Sequence, residues 1–79
     1  MKARIRITLK SGVLDPQGQA IEGALASLGF AEASNVRQGK YIELDVKAAD
    51  EAAARARVEA MCQKLLANTV IENYHIELA

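Results

Sequence analysis

Gly39–Lys47, with the sequence GKYIELDVK, alternates between apolar and polar side chains. Every second residue in Ile42–Val46 is apolar and the residues between them are charged, which is the pattern of a strand with one buried face. The polar segment Arg37–Lys40 comes just before this strand and contains a glycine. We predict that this segment is a tight turn, which joins a short strand opening at Val36 to the strand that begins at Lys40.

Helical patterns flank this hairpin, and a strand pattern lies outside each of them. In chain order the sequence predicts a strand at 2–10, a helix at Pro16–Leu28, the two hairpin strands, a helix between the cap Asp50 and the stop Asn68, and a strand at Thr69–Leu78. With right-handed crossovers, this β-α-β-β-α-β order predicts a ferredoxin-like plait of the α+β class. In that fold a four-stranded antiparallel sheet carries both helices on one face, and the first strand lies between the third and the fourth.

The charges on the open face of this sheet are expected to pair with one another. Arg4 and Arg6 of the first strand would lie between Glu43 and Asp45 on one side and Glu77 on the other, and opposite charges on neighbouring strands attract. RNA-binding modules of the same plait stack bases on two or three aromatic rings, and this face carries one. The pattern therefore argues against nucleic acid as a partner.

Size and composition favour a subunit of an assembly over an enzyme that acts alone. The 79 residues are expected to form one domain, residues 1–79, and a chain of this length can bury only a small core. Ten basic and ten acidic side chains cancel, which removes the electrostatic field that binding to nucleic acid or a membrane surface uses. The longest apolar runs fall far short of the roughly 20 residues that cross a bilayer. We expect a cytoplasmic location and no membrane partner.

Chemistry-bearing residues are present only singly. Cys62 lies on the apolar face of the second helix and is expected to fill the core, and His75 has neither a nucleophile nor a metal-ligand partner nearby in sequence. We therefore assign no catalytic, cofactor-binding or metal-binding residue. Three segments remain as candidate partner contacts: Asp15, Pro16, Gln17 and Gly18; Arg37, Gly39, Lys40 and Tyr41; and Asn68, Glu72, Asn73 and Tyr74.

Gly18 marks the first of these segments because a glycine in the first turn of a helix costs about 1 kcal/mol relative to alanine. One explanation is that the helix end frays there. The other is that a second backbone or a ligand approaches this turn closely, and the free amide hydrogens of the turn could then also meet an anion.

These three segments also carry a resemblance to a known family. Val13–Gly18, Val36–Leu44 and Asn68–Tyr74 closely resemble the marks of PurS, the small subunit of phosphoribosylformylglycinamidine synthase. The resemblance runs through the whole chain in order. One departure is Thr69, where the family commonly has a proline after the asparagine, and this substitution loosens the expected rigidity of the turn.

The resemblance implies a role in de novo purine synthesis. The family's complex converts formylglycinamide ribonucleotide, glutamine and ATP into formylglycinamidine ribonucleotide, glutamate, ADP and phosphate, and it uses Mg. A large synthetase subunit and a glutaminase subunit hold the catalytic groups, while PurS binds no cofactor alone and bridges the two so that ammonia passes between them. The resemblance implies a homodimer or higher homo-oligomer, which we expect to form through sheet or edge contacts. The alternative is a small-molecule-sensing module of the ACT type, for which the glycine loop Ser11–Gly12 is a weak match.

Overall fold

The sheet has three antiparallel strands, and the N-terminal strand is in the middle. The computed structural model describes all residues 1–79. The elements are β1 (Lys2–Leu9), α1 (Pro16–Ser27), β2 (Gly39–Asp45), α2 (Glu51–Met61) with a π-helical turn at Cys62–Leu66, and β3 (Glu72–Leu78). The strand order is β2-β1-β3, so the predicted position of the first strand between the last two is confirmed.

The register explains part of the charge pattern on the open face. Arg4 of β1 lies directly between Glu43 of β2 and Glu77 of β3, as predicted, and its Nε is 3.4 Å from Oε2 of Glu43. Arg6 does not meet acidic partners, because the same register places it between Tyr41 and His75. The prediction of a second arginine held by carboxylates is therefore wrong.

The predicted fourth strand does not form, which corrects the sheet from four strands to three. The backbone N–H of Val36 donates to Oε1 of Glu22 at 2.9 Å, and that of Gln38 donates to Oδ2 of Asp15 at 2.8 Å. Asn35 just before them has a φ of 55°. Amides that are held by side-chain carboxylates are not free to pair with a strand, so this segment turns instead. As a result β2, predicted to be central, is an edge strand.

The core lies between the sheet and α2. Its apolar residues are Ala3, Ile5, Ile7, Val46, Ala54, Val58, Cys62, Ala67 and Ile76. The sheet and helix meet through the alternate residues of β1 and the three- and four-residue spacing of α2, which are the periods that the sequence showed. Asp50 caps α2 by accepting the N–H of Ala53 at 2.8 Å. At its other end the amide of Ala67 donates to the carbonyl of Cys62 at 2.9 Å.

Helix α1 does not pack on the sheet, which corrects the prediction of two helices on one face. Gly18 is the only buried residue of α1. The segment after the helix folds back along it, as the amide of Phe30 donates to the carbonyl of Leu25 at 2.8 Å. We call residues 16–36 the arm. Because the arm projects, the radius of gyration is 15.8 Å, against about 12 Å for a compact chain of this length.

Candidate functional site

The three predicted contact segments meet at one end of the sheet. Nζ of Lys40 lies 3.6 Å from Oε2 of Glu72, which joins the second segment to the third. A cleft of about 230 Å³ opens between them, and its lining residues are Leu9, Asp15, Gln17, Gln38, Gly39, Lys40 and Glu72. The sequence indicated three separate surface elements, and the fold places them around one cleft where the arm leaves the sheet.

Asp15 is the buried centre of this region. Its Oδ1 accepts the N–H of Gly18 at 2.9 Å, and its Oδ2 accepts the N–H of Gln38 at 2.8 Å. The side chain therefore caps α1 and at the same time binds the chain where it returns from the arm. The hydrogen bond from Gln38 and then that from Gly18 lower the pKa of this carboxyl below its usual range, while burial opposes them and Arg37 adds a smaller lowering.

Arg37 completes an anchor at the base of the arm. Its guanidinium donates to the carbonyls of Val13 at 3.1 Å and Lys10 at 3.2 Å. Its Nε is 3.9 Å from Oδ2 of Asp15. We call Asp15 and Arg37, with these bonds, the anchor. A change at Arg37 would disturb the base of the arm as well as any partner contact, so this residue is a poor probe of partner binding alone.

Gly18 is needed because two stretches of backbone cross there. A Cβ at this position would lie 2.5 Å from the carbonyl oxygen of Val36 and 2.6 Å from Oδ2 of Asp15. Of the two explanations that the sequence left open, the close approach of another backbone is the one observed. The amide that could have met an external anion already donates to Asp15.

The third segment is a turn that is held mainly by its own side chains. The N–H of Asn68 donates to Oε1 of Glu72 at 2.7 Å, and Oδ1 of Asn68 accepts the N–H of Val70 at 3.2 Å. The N–H of Glu72 donates back to the carbonyl of Asn68 at 2.7 Å, so β3 begins at Glu72 rather than at Thr69. These bonds fix the turn without the proline that the family commonly has.

The remaining candidate residues lie on the surface around the cleft. Pro16, Gln17 and Asn73 are exposed, and Tyr74 is half-buried, with its hydroxyl oxygen accepting from Nε2 of Gln63 at 3.3 Å. Tyr41 is exposed and donates its O–H to Oε2 of Glu43 at 3.0 Å. Desolvation, followed by this hydrogen bond, raises the pKa of the Tyr41 phenol.

Sequence reasoning left out two residues that matter here. Gln38 lies inside a quoted segment but was not selected, and its contribution is a backbone N–H, which residue type does not reveal. Glu22 was read only as a surface residue of α1, yet its carboxylate holds Val36. A carboxylate one turn beyond a capping aspartate on the same helix is a signal that could have pointed to this second bond.

The chemistry available on the chain is that of contacts rather than of a reactive group. The described residues contain no group of three His, Cys, Asp or Glu side chains close enough to hold a metal ion. Cys62 is buried, and desolvation first, with a smaller effect of Glu59, raises the pKa of its thiol, which keeps it protonated near neutral pH. The helices are all too short or too polar to span a membrane.

The lowered pKa of Asp15 predicts an acid-sensitive arm. A group whose pKa is lower in the folded than in the unfolded state stabilises fully above its unfolded pKa, and that stabilisation is lost as pH falls through the folded pKa. Asp15→Asn keeps one acceptor but cannot accept both N–H groups, so it should melt several degrees below the wild type at neutral pH. The difference in melting temperature should shrink as the pH is lowered below about 4.

The control for this experiment is Asp50→Asn, which changes the other capping aspartate. Asparagine caps helices about as well as aspartate, and Asp50 accepts a bond from only one amide in an exposed position. Its melting curves should follow the wild type at every pH. A wild-type minus Asp15→Asn difference that stays constant from neutral to acid pH would contradict the role of the Asp15 charge.

Comparison with known proteins places these features in a family. The family model of PurS, described as phosphoribosylformylglycinamidine (FGAM) synthase, matches residues 2–79. The phosphoribosylformylglycinamidine synthase subunit PurS of Synechocystis sp. is 53% identical over 75 residues, which cover 95% of this chain and 75% of that protein. The same subunit of Bacillus subtilis is 47% identical over 77 residues, covering 98% of this chain and 90% of that one.

Solved structures show the same fold. A crystal structure of B. subtilis PurS superposes with a TM-score of 0.86 at 47% identity, over 96% of this chain and 94% of that chain. A chain in the structure of PurLQS from Thermotoga maritima superposes with a TM-score of 0.89 at 34% identity, over 96% and 93% of the two chains. These matches support the PurS resemblance rather than the small-molecule-sensing alternative. With a family model that spans residues 2–79 and relatives this similar, the chain belongs to the PurS family of phosphoribosylformylglycinamidine synthase subunits.

Proposed function

We propose that this chain is the small, non-catalytic subunit of a phosphoribosylformylglycinamidine synthase and acts in the cytoplasm in de novo purine synthesis. It assembles with a large synthetase subunit and a glutaminase subunit, and it supports the transfer of ammonia between them. The complex uses ATP, Mg and glutamine, and this subunit binds none of them alone. The observation that carries the proposal is the family match over residues 2–79, together with the structural match to a chain of PurLQS.

The cleft residues are the proposed contact surface for the larger subunits. The exposed residues Gln17, Asn73 and Tyr41 lie around the cleft or on the open face beside it, where a partner can reach them. The anchor keeps the first and second segments in a fixed relation, so a partner meets a preformed surface and loses less conformational freedom on binding. The chain is also proposed to form a homodimer, since its own core is small and much apolar surface stays exposed.

The test is reconstitution of the synthase from its purified subunits. Glutamine-dependent amidination should require this chain, whereas amidination supplied directly with an ammonium salt should proceed without it, because ammonia then needs no transfer between active sites. Equal glutamine-dependent activity with and without the chain would overturn the proposal.

A pair of matched variants tests the proposed surface. Gln17→Arg adds a bulky cation inside the cleft, and Gln19→Arg adds the same group two residues later, outside the lining of the cleft. Gln17→Arg should weaken binding to the larger subunits by about tenfold or more, and Gln19→Arg should leave it unchanged. If the two variants bind equally well, the cleft is not the contact surface even where reconstitution succeeds.

A further inference from the structure

The arm carries an apolar surface that nothing in its own chain covers. Ile21, Ala24 and Leu28 lie on one side of α1 at spacings of three and four residues, and we call them the arm stripe. Ile21 is 41% exposed, Leu28 is 72% exposed and Ala24 is exposed as well. This spacing normally marks the side of a helix that packs on a sheet, yet α1 stands away from the sheet.

The sheet has a matching apolar surface that nothing covers. Ile42 and Leu44 lie on the core side of β2, opposite Ile5 and Ala3 of β1, but they are only half-buried. Met61 is half-buried on α2, and Leu65, one turn later, is 82% exposed. We call Ile42, Leu44, Met61 and Leu65 the ledge. It is the position beside α2 that the first helix of the predicted plait would fill.

The anchor prevents α1 from filling the ledge of its own chain. Asp15 binds the first turn of α1 and the returning chain together, and Arg37 ties the same point to the end of β1. Folding the helix back over the sheet would break these bonds at a buried carboxylate, which is costly. The arm can therefore keep its anchor only if its stripe is covered by another molecule.

We infer that two copies of the chain exchange arms, so that the arm stripe of each packs on the ledge of the other. This inference deepens the proposed homodimer and rests on it. One chain carries both unfilled surfaces, and a two-fold pair satisfies both at once, which is the geometry of an exchanged element. The lengths agree: α1 has 12 residues, about 18 Å, and β2 has 7 residues, about 24 Å.

The exposed area also agrees with a dimer of this kind. The isolated chain exposes 5600 Å², whereas a compact monomer of its mass would expose about 4700 Å². The excess of about 900 Å² is close to the roughly 800 Å² that each partner buries in a stable interface. The arm's contact with the ledge thus accounts for the surface that the monomer fails to bury.

Two charges on the arm stripe should separate the copies. Ile21→Glu with Leu28→Glu should weaken self-association about 100-fold or more, measured by sedimentation equilibrium, because both side chains become buried in the dimer. The matched control is Gln19→Glu with Ala26→Glu, which adds the same charges to exposed positions on the other side of α1. The control should keep the wild-type dimerisation constant, and circular dichroism reports whether each variant is folded.

Cross-linking tests the exchange itself, independently of these charges. Molecules with Ile21→Cys and molecules with Ile42→Cys, refolded together and treated with a short bismaleimide, should give a product that contains one of each. Gln19→Cys in place of Ile21→Cys should not. The native Cys62 is buried and does not compete.

The outcomes separate the exchange from the homodimer on which it rests. A dimer that survives Ile21→Glu with Leu28→Glu and gives no mixed cross-link would overturn the exchange while the homodimer stands. A chain that stays monomeric at every concentration would overturn both, including the case in which a larger subunit covers the arm.

Discussion

Gly18→Ala is expected to lower the free energy of unfolding by about 1–3 kcal/mol, because the new methyl group has no space. Its Cβ would lie 2.5 Å from the carbonyl oxygen of Val36, which is backbone and cannot move aside like the end of a side chain. Relief would require the return segment of the arm to separate from α1, which breaks the bonds from Gly18 and Gln38 to Asp15.

The control is another glycine of the same helix. A Cβ at Gly23 would meet nothing within 4 Å, so Gly23→Ala should stabilise the chain by about 1 kcal/mol through helix propensity alone. Urea denaturation of both variants at one chain concentration gives the comparison. Two shifts of the same sign would show that helix propensity, and not the crossing at Val36, governs Gly18.

Ile5→Ala is expected to lower the free energy of unfolding by about 2–5 kcal/mol, the largest effect of any single change considered. Ile5 is fully buried in the central strand, between Ile42 and Ile76 on the neighbouring strands. A cavity at this point weakens the contacts between the sheet and α2, and a small domain has little stability to lose. The variant should populate unfolded chain at temperatures where the wild type is folded.

Val70→Ala is the surface control for this prediction. Val70 is 81% exposed, so removal of its methyl groups should change stability by less than about 0.5 kcal/mol. The denaturation midpoints are to be compared at fixed chain concentration, since self-association adds to apparent stability. A midpoint of Ile5→Ala near that of Val70→Ala would mean that the sheet does not depend on this core.

The sheet could be predicted from the sequence because its information is local. Alternation in residues 2–10 and 39–47 identifies the strands, and the connection rules place the first strand in the middle. The position of Arg4 between Glu43 and Glu77 follows from that order. Val36 was misassigned because an apolar residue before a turn resembles a strand, whereas its structure is decided by a carboxylate 14 residues away.

The arm was misplaced for a different reason. The spacing of Ile21, Ala24 and Leu28 indicates that one side of α1 needs cover, but periodicity does not say which molecule supplies it. The candidate segments were found by resemblance and by Gly18, and their convergence on one cleft could not be foreseen, because it depends on the bonds of Asp15 and Arg37 across more than 20 residues.

The anchor makes the chain leave and re-enter the sheet at a single point, where Asp15 and Gln38 are joined by one hydrogen bond. A detour that starts and finishes at the same place can grow or shrink at its far end, around Gly29, without shifting the pairing of any strand. The length of this excursion is thus mechanically independent of the body that carries it. Evolution or an engineer can adjust how far the protein reaches while its platform stays as it is.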